Sequence, residues 1–130
     1  MRIGELAARA EVSVRSLRYY EQQGLLRSTR TPSGQRLFTE DDVDRVGFIQ
    51  GLYAAGLSSS TIADLMPCRD APSQHNSDAT LERMARERER ITVQIDGLLR
   101  ARATLDRMTA LARVYRESLP AAPQAAREAS

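Results

Sequence analysis

Arg15, Arg18 and Tyr19 stand close together in the stretch VSVRSLRYYEQQGLL, residues 12–26. Two guanidinium forks and a phenol of this kind donate hydrogen bonds to phosphate oxygens and to base edges, so the chemistry they suit is the binding of a polyanion. Their spacing needs a helix. Val14, Leu17 and Tyr20 recur at intervals of three on an apolar stripe, while Arg15, Arg18 and Tyr19 share the other face. Ser13 precedes them with a hydroxyl suited to cap a helix start, and Gly24 falls where a left-handed cap would end the helix, followed by Leu25 and Leu26 as its apolar contact. Tyr20 reads two ways: its apolar-face position argues for packing, and its hydroxyl could still reach a phosphate.

A second set of residues invites other chemistry. The only cysteine, Cys68, and the only histidine, His75, lie in the polar stretch PCRDAPSQHN at 67–76. One of each is too few for a tetrahedral site within one chain, although two chains could supply four ligands to an intersubunit zinc. The remaining readings are a reactive thiol open to oxidation, favoured by Arg69 and opposed by Asp70, and no sensing role at all. Asp41, Asp42 and Asp44 read as solvated residues at a helix start rather than as a carboxylate site. With no phosphate-cradling glycine loop and no paired carboxylates sharing a cleft, an enzyme is not expected.

The elements around these residues follow in order. Residues 3–10, IGELAARA, form a short helix pattern, joined through Glu11, Val12 and Ser13 to the predicted recognition helix at 14–23; this is the helix-turn-helix unit. Pro32-Ser33-Gly34 reads as a hairpin turn that places Arg30 and Arg36 near a short ribbon, where arginines could lie along a phosphate backbone or enter the adjacent minor groove. Thr39 caps a helix carrying Val43, Val46, Phe48, Ile49 and Leu52, with Gly56 as its stop, and Ser58 opens a short helix ended by Pro67. From Ser77 or Asp78 to residue 118 one long helix is expected. Leu81, Met84, Ile91, Ile95, Leu98, Leu105, Met108 and Tyr115 recur along it at intervals of three, four or seven. Arg88, Arg102 and Gly97 make this an imperfect coiled coil, whose apolar stripe requires a partner. The Ala/Pro-rich residues 119–130 are expected to be disordered.

The block IGELAARAEVSVRSLRYYEQQGLL followed by TPSGQRLFTEDDVDRVGFIQGLYAAGLSSSTIADLM resembles the MerR family of bacterial transcription regulators. The likeness is close over residues 2–66 and architectural beyond. It implies a mainly α fold: a winged helix-turn-helix head with a small β-hairpin wing (1–66), a linker (67–76), and a dimerisation helix (77–118) pairing antiparallel with its copy. It also implies a homodimer on double-stranded promoter DNA, acting with RNA polymerase by bending and untwisting an overlong spacer in response to an effector. Family members commonly carry an aromatic at the position of Leu37. The separate drug-binding domain, the iron–sulfur cysteine cluster and the spaced cysteines of mercury and copper sensors are not expected here.

In a chain of 130 residues, 42% apolar and of net charge +2, there is room for one domain plus an extension. The charge is unevenly spread: seven Arg oppose three Glu up to Arg36, whereas one Arg opposes five acids over residues 37–66. No apolar run approaches a membrane span and no signal segment is read, so a cytoplasmic protein without membrane contact is expected. The DNA-binding candidates are thus Ser13, Val14, Arg15, Arg18, Tyr19, Tyr20, Arg30 and Arg36. A pure coiled-coil protein would leave the basic helix unexplained. An excisionase-like DNA bender without effector control remains the alternative, and such proteins typically lack the long helix.

Overall fold

Six helices and one hairpin make up the computed structural model, which describes residues 1–121. Helix α1 spans Ile3–Ala10, α2 Val14–Gln22, α3 Glu40–Ala54, α4 Ser59–Leu65, α5 Pro67–Asp70 and α6 Gln74–Ser118, while β1 (Thr29–Arg30) and β2 (Arg36–Leu37) lie between α2 and α3. The chain divides into two units, Met1–Glu87 and Arg88–Ser130.

The first unit is the head, built on the apolar positions that the helical spacing aligns. Leu6 of α1, Leu17 of α2, Val46 and Ile49 of α3, and Ile62 and Leu65 of α4 are all fully buried in one cluster with Leu25 and Leu26. Each such side chain stabilises the fold by about 1.5–3 kcal/mol through burial. Phe38, at the base of the hairpin, joins them, and its N–H donates to the Met1 carbonyl at 2.7 Å, which ties the wing to the start of α1.

Local chemistry sets the boundaries. The Ser13 hydroxyl accepts from the Ser16 N–H at 3.0 Å and starts α2. Gly24, at φ +73°, lets the chain turn so that the Leu25 N–H reaches the Tyr20 carbonyl at 2.9 Å. The wing pairs Thr29 with Leu37 and Arg30 with Arg36, closed by a Gly34 N–H to Thr31 carbonyl bond of 2.9 Å. Asp42 caps rather than forming a carboxylate site: its carboxylate accepts from the Thr39 N–H at 2.8 Å. Arg9 of α1 pairs with Glu40 of α3. That hydrogen bond is the main reason the Glu40 carboxyl lies below its ordinary value. Its contribution is present at neutral pH and is lost as pH falls through the lowered value.

Residues 67–76, expected as a linker, are largely helical. Pro67 suits the first position of a helix and opens the single turn α5, so it ends α4 and begins the next element. The long helix begins at Gln74 rather than Ser77, because the Ser73 hydroxyl accepts from the Asn76 N–H at 3.0 Å and supplies the cap. The Asn76 side chain donates to the Ala71 carbonyl at 2.6 Å, holding α5 to the first turn of α6. Met84, expected in the intersubunit seam, packs against the core of its own head. Of the expected disordered tail, residues 119–121 are outside the helix, and the remainder lies outside the described residues.

The turn between α1 and α2 contains a strained residue. Glu11 has φ 57° and ψ 44°, the left-handed region, which costs a residue with a Cβ roughly 1–2 kcal/mol. Its position lets the Val12 N–H reach the Ala7 carbonyl at 3.0 Å. Glu11→Gly is therefore expected to stabilise the protein by about 1 kcal/mol in urea denaturation, net of glycine's entropy, and Glu11→Val to destabilise it.

Candidate nucleic-acid interface

Burial of Leu17 and Tyr20 turns the opposite face of α2 outward. Arg15 and Arg18 are exposed on it and make no ion pair among the described residues, and Tyr19 is 45% exposed. Two guanidinium groups one turn apart repel each other slightly, which an incoming anion would relieve. Val14, Arg15, Arg18, Tyr19 and Gln22 line an open recess of about 620 Å³. Arg18 and Gln22 also line a second, of about 690 Å³, with Ile3, Glu21 and Arg36. The two share a wall, so one surface runs from the helix to the base of the wing. Gln22 was not among the sequence candidates, although its place one turn after Arg18 and its amide, able to read an adenine edge, are visible in the sequence.

The remaining candidates divide. Val14 is half-buried. Ser13 spends its hydroxyl on the helix start and on a 2.9 Å bond to the Ser16 hydroxyl. Tyr20, read two ways from its position, is only 6% exposed, and its ring stacks on Tyr53 with centroids 5.6 Å apart. It is a core residue. In the wing, Arg30 and Arg36 face each other across the ladder, a like-charge pairing that is unfavourable alone. Arg36 is turned to Glu21 of α2 at 3.2 Å, while the exposed Arg30 reaches the Gly34 carbonyl at 3.4 Å. The Arg36–Glu21 pair therefore sets the wing against α2.

The segment carrying Cys68 is clamped to the head by crossed ion pairs. Arg69 of α5 donates to the Asp41 carboxylate and carbonyl, both at 2.9 Å, while Asp70 pairs with Arg45, four residues further along α3. Arg45 also donates through Nε to the Leu25 carbonyl at 2.6 Å. The Arg69 guanidinium, expected to favour a Cys68 thiolate, is thus committed to Asp41. Cys68 is half-buried, His75 is exposed, and among the described residues no three His, Cys, Asp or Glu side chains group as a metal site.

In the second unit α6 displays an apolar stripe. Ile95, Leu98, Leu105 and Met108 are more than half exposed, as is Leu81 in the head's part of the helix, and Ile91 is half-buried. Val93, Leu99, Leu111, Val114 and Tyr115 are also exposed. Of these, Val93, Leu99, Leu111 and Val114 fall outside the heptad seam read from sequence. No helix among the described residues is long and apolar enough to cross a membrane.

Residues 1–67 match the model of the MerR HTH family regulatory protein, and residues 43–108 match that of MerR, DNA binding. The HTH-type transcriptional regulator ZntR of Escherichia coli K12 is 33% identical over 132 aligned positions, covering 96% of this chain and 94% of ZntR. The chain belongs to the MerR family. It is a MerR-family DNA-binding transcription regulator and not an enzyme, with the mainly helical winged head that the family resemblance implied. Among solved structures, PbrR691 from Ralstonia metallidurans CH34, in complex with lead(II), is 27% identical at a TM-score of 0.62, covering 95% of this chain and 91% of that one. HiNmlR, described as a MerR-family regulator lacking the sensor domain and bound to promoter DNA, has a TM-score of 0.59 over 90% of this chain and 93% of that one. At 22% identity, that likeness shows the fold.

Replacing Arg45 by methionine keeps the aliphatic stem and removes every donor from the Leu25 carbonyl and Asp70. In this MerR-family head the change is expected to cost about 1–3 kcal/mol in urea denaturation, the penalty of leaving a buried acceptor unpaired.

Proposed function

We propose that this MerR-family regulator binds a palindromic promoter operator as a homodimer and alters promoter geometry, with RNA polymerase, in response to an effector. The observation that carries the reading is the Arg15–Arg18 face of α2, unpaired among the described residues and lying beside the wing. The N-terminal part of a recognition helix meets base edges in the major groove, which gives Arg15 a base contact. Arg18, Tyr19 and the wing arginines Arg30 and Arg36 then serve the neighbouring phosphates. The exposed stripe of α6, Leu81 through Met108, is the surface for a second copy. A paired stripe would carry two heads and so a two-fold symmetric operator. The promoter-DNA complex of HiNmlR supports this use of the fold.

An excisionase-like bender typically lacks the long helix. Here α6 runs to Ser118 and the second family match extends to residue 108, which favours the regulator.

Effector control requires two head geometries with different affinity for the signal. The signal is read, in this proposal, at the α5 turn and the start of α6, where the crossed Arg–Asp pairs join Cys68's turn to the head. The lead(II) complex of PbrR691 keeps a metal ion among the effectors to test, with thiol oxidation at Cys68 beside it. Given the donor set, a metal would need Cys68 and His75 from two chains. Transcription in vitro with wild type and Cys68→Ser, under reducing, oxidising and zinc-supplemented conditions, decides this. A response present in wild type and absent in the variant places the sensor at Cys68; equal responses exclude it.

Arg15→Ala is expected to weaken binding to the selected operator by about 1–3 kcal/mol and to relax preference at one base pair, with the salt slope unchanged. Fluorescence anisotropy across a salt series checks this. A slope reduced by about 1 with sequence preference intact would assign Arg15 to a phosphate instead.

A further inference from the structure

Three consecutive serines, Ser58 to Ser60, precede the body of α4, and only the first is needed to start it. The Ser58 hydroxyl accepts from the Thr61 N–H at 3.1 Å. The Ser59 hydroxyl is used elsewhere. It lies 3.2 Å from the Tyr19 hydroxyl of α2 and hydrogen-bonds the Tyr53 hydroxyl of α3. Three elements therefore meet at one small side chain.

The cluster is anchored at one end and open at the other. Tyr53 stacks on the buried Tyr20, with planes 18° apart, so its phenol is held by the core. The Tyr19 ring packs 6.5 Å from both other tyrosines, while the side chain remains 45% exposed on the arginine face of α2. Burial raises the Tyr53 phenol above its ordinary value, so Tyr53 remains protonated and able to donate.

Counting protons gives the cluster a direction. Tyr53, Ser59 and Tyr19 carry one O–H each, and two links between them use two of the three. One proton remains to leave the cluster. When Tyr53 donates to Ser59 and Ser59 donates to Tyr19, the Tyr19 O–H points away, from the most exposed of the three residues. An anionic acceptor selects that ordering, because hydrogen bonds to charged oxygens are about twice as strong as neutral ones and chains of hydroxyls polarise one another.

We propose that Ser59 is a positioning residue for DNA binding, whose hydroxyl links Tyr53 to Tyr19 and holds the Tyr19 O–H as a donor aimed at a backbone phosphate. The proposal rests on the DNA-binding reading of α2. It makes α3 and α4 part of the interface through Tyr19, and no contact of Ser59 with DNA is required. Holding Tyr19 in place before binding removes an ordering cost that is otherwise met on association.

The test uses the full chain and a duplex enriched by wild type from a random pool. Ser59→Ala is expected to weaken binding about two- to tenfold, the range that ordering one side chain supplies. Ser59→Thr, which keeps the hydroxyl, is expected to restore it. In a Tyr19→Phe background, Ser59→Ala should add nothing, because the outward donor is already gone. One uncharged methylphosphonate moved along the backbone should find a position where wild type loses affinity and both Ser59→Ala and Tyr19→Phe do not. Thermal melting of each variant accompanies the binding curves. Equal losses from Ser59→Ala with and without the Tyr19 hydroxyl would overturn the proposal. So would unchanged affinity, or a fall in melting temperature that Ser59→Thr fails to repair. If wild type enriches no duplex, the DNA-binding reading itself falls, and this proposal with it.

Discussion

Burial of Leu17 and Tyr20 in the core of the head fixes the rotation of α2 about its own axis, and the presentation of every basic side chain on that helix follows from it. A nine-residue helix has little stability alone, so its place depends on the apolar face it buries. With that face inward, Arg15, Arg18, Tyr19 and Gln22 have no alternative to the surface. The capping hydroxyl of Ser13 and the left-handed turn at Gly24 stop the helix where the core stops needing it.

Apart from His75, arginine is the only basic residue type in the chain, and the arginines serve two purposes that charge counting cannot separate. Arg9, Arg45, Arg69 and Arg83 are engaged by Glu40, Asp70, Asp41 and Asp64. They join elements of the head. Among the described residues Arg15 and Arg18 lack such partners, so their positive potential is directed outward. Arg36 stands between the two groups: its pair with Glu21 orients the wing, and the same pair removes a like-charge conflict with Arg30. Exposed pairs of this kind contribute little energy singly, and their value here is geometric.

The long helix also has two roles along its length. Thr80 is buried in the head and Met84 packs against the head's core, whereas the residues beyond Glu87 belong to the second unit and expose their apolar stripe. An aliphatic stripe in water on a helix of this length is unfavourable unless covered. The turn where α5 meets α6 lies in the head, held by Asn76 and by the Arg–Asp pairs.

Much of this was legible from local patterns. The helix-turn-helix, the hairpin turn at Pro32-Ser33-Gly34, the caps at Ser13 and Ser58, and the exposed arginine face all follow from spacing and residue type, because capping and helical periodicity act over a few residues. Other features were settled only by contacts between distant parts of the chain. Position alone left Tyr20 between core and phosphate, and stacking on Tyr53 put it in the core. Pro67 read as a terminator, yet it begins a helical turn that Arg45 and Asp41 hold in place. Met84 fits the heptad spacing, and only the fold shows that it also packs against the core of its own head. The three serines at the start of α4, Ser58 to Ser60, look alike in sequence, and only the approach of Tyr19 and Tyr53 gives Ser59 a different use. Short-range chemistry determined which segments are helical and which faces are charged. Long-range packing decided which of those charged and hydroxyl groups are already engaged, because a side chain's partner depends on elements that sequence spacing does not bring together.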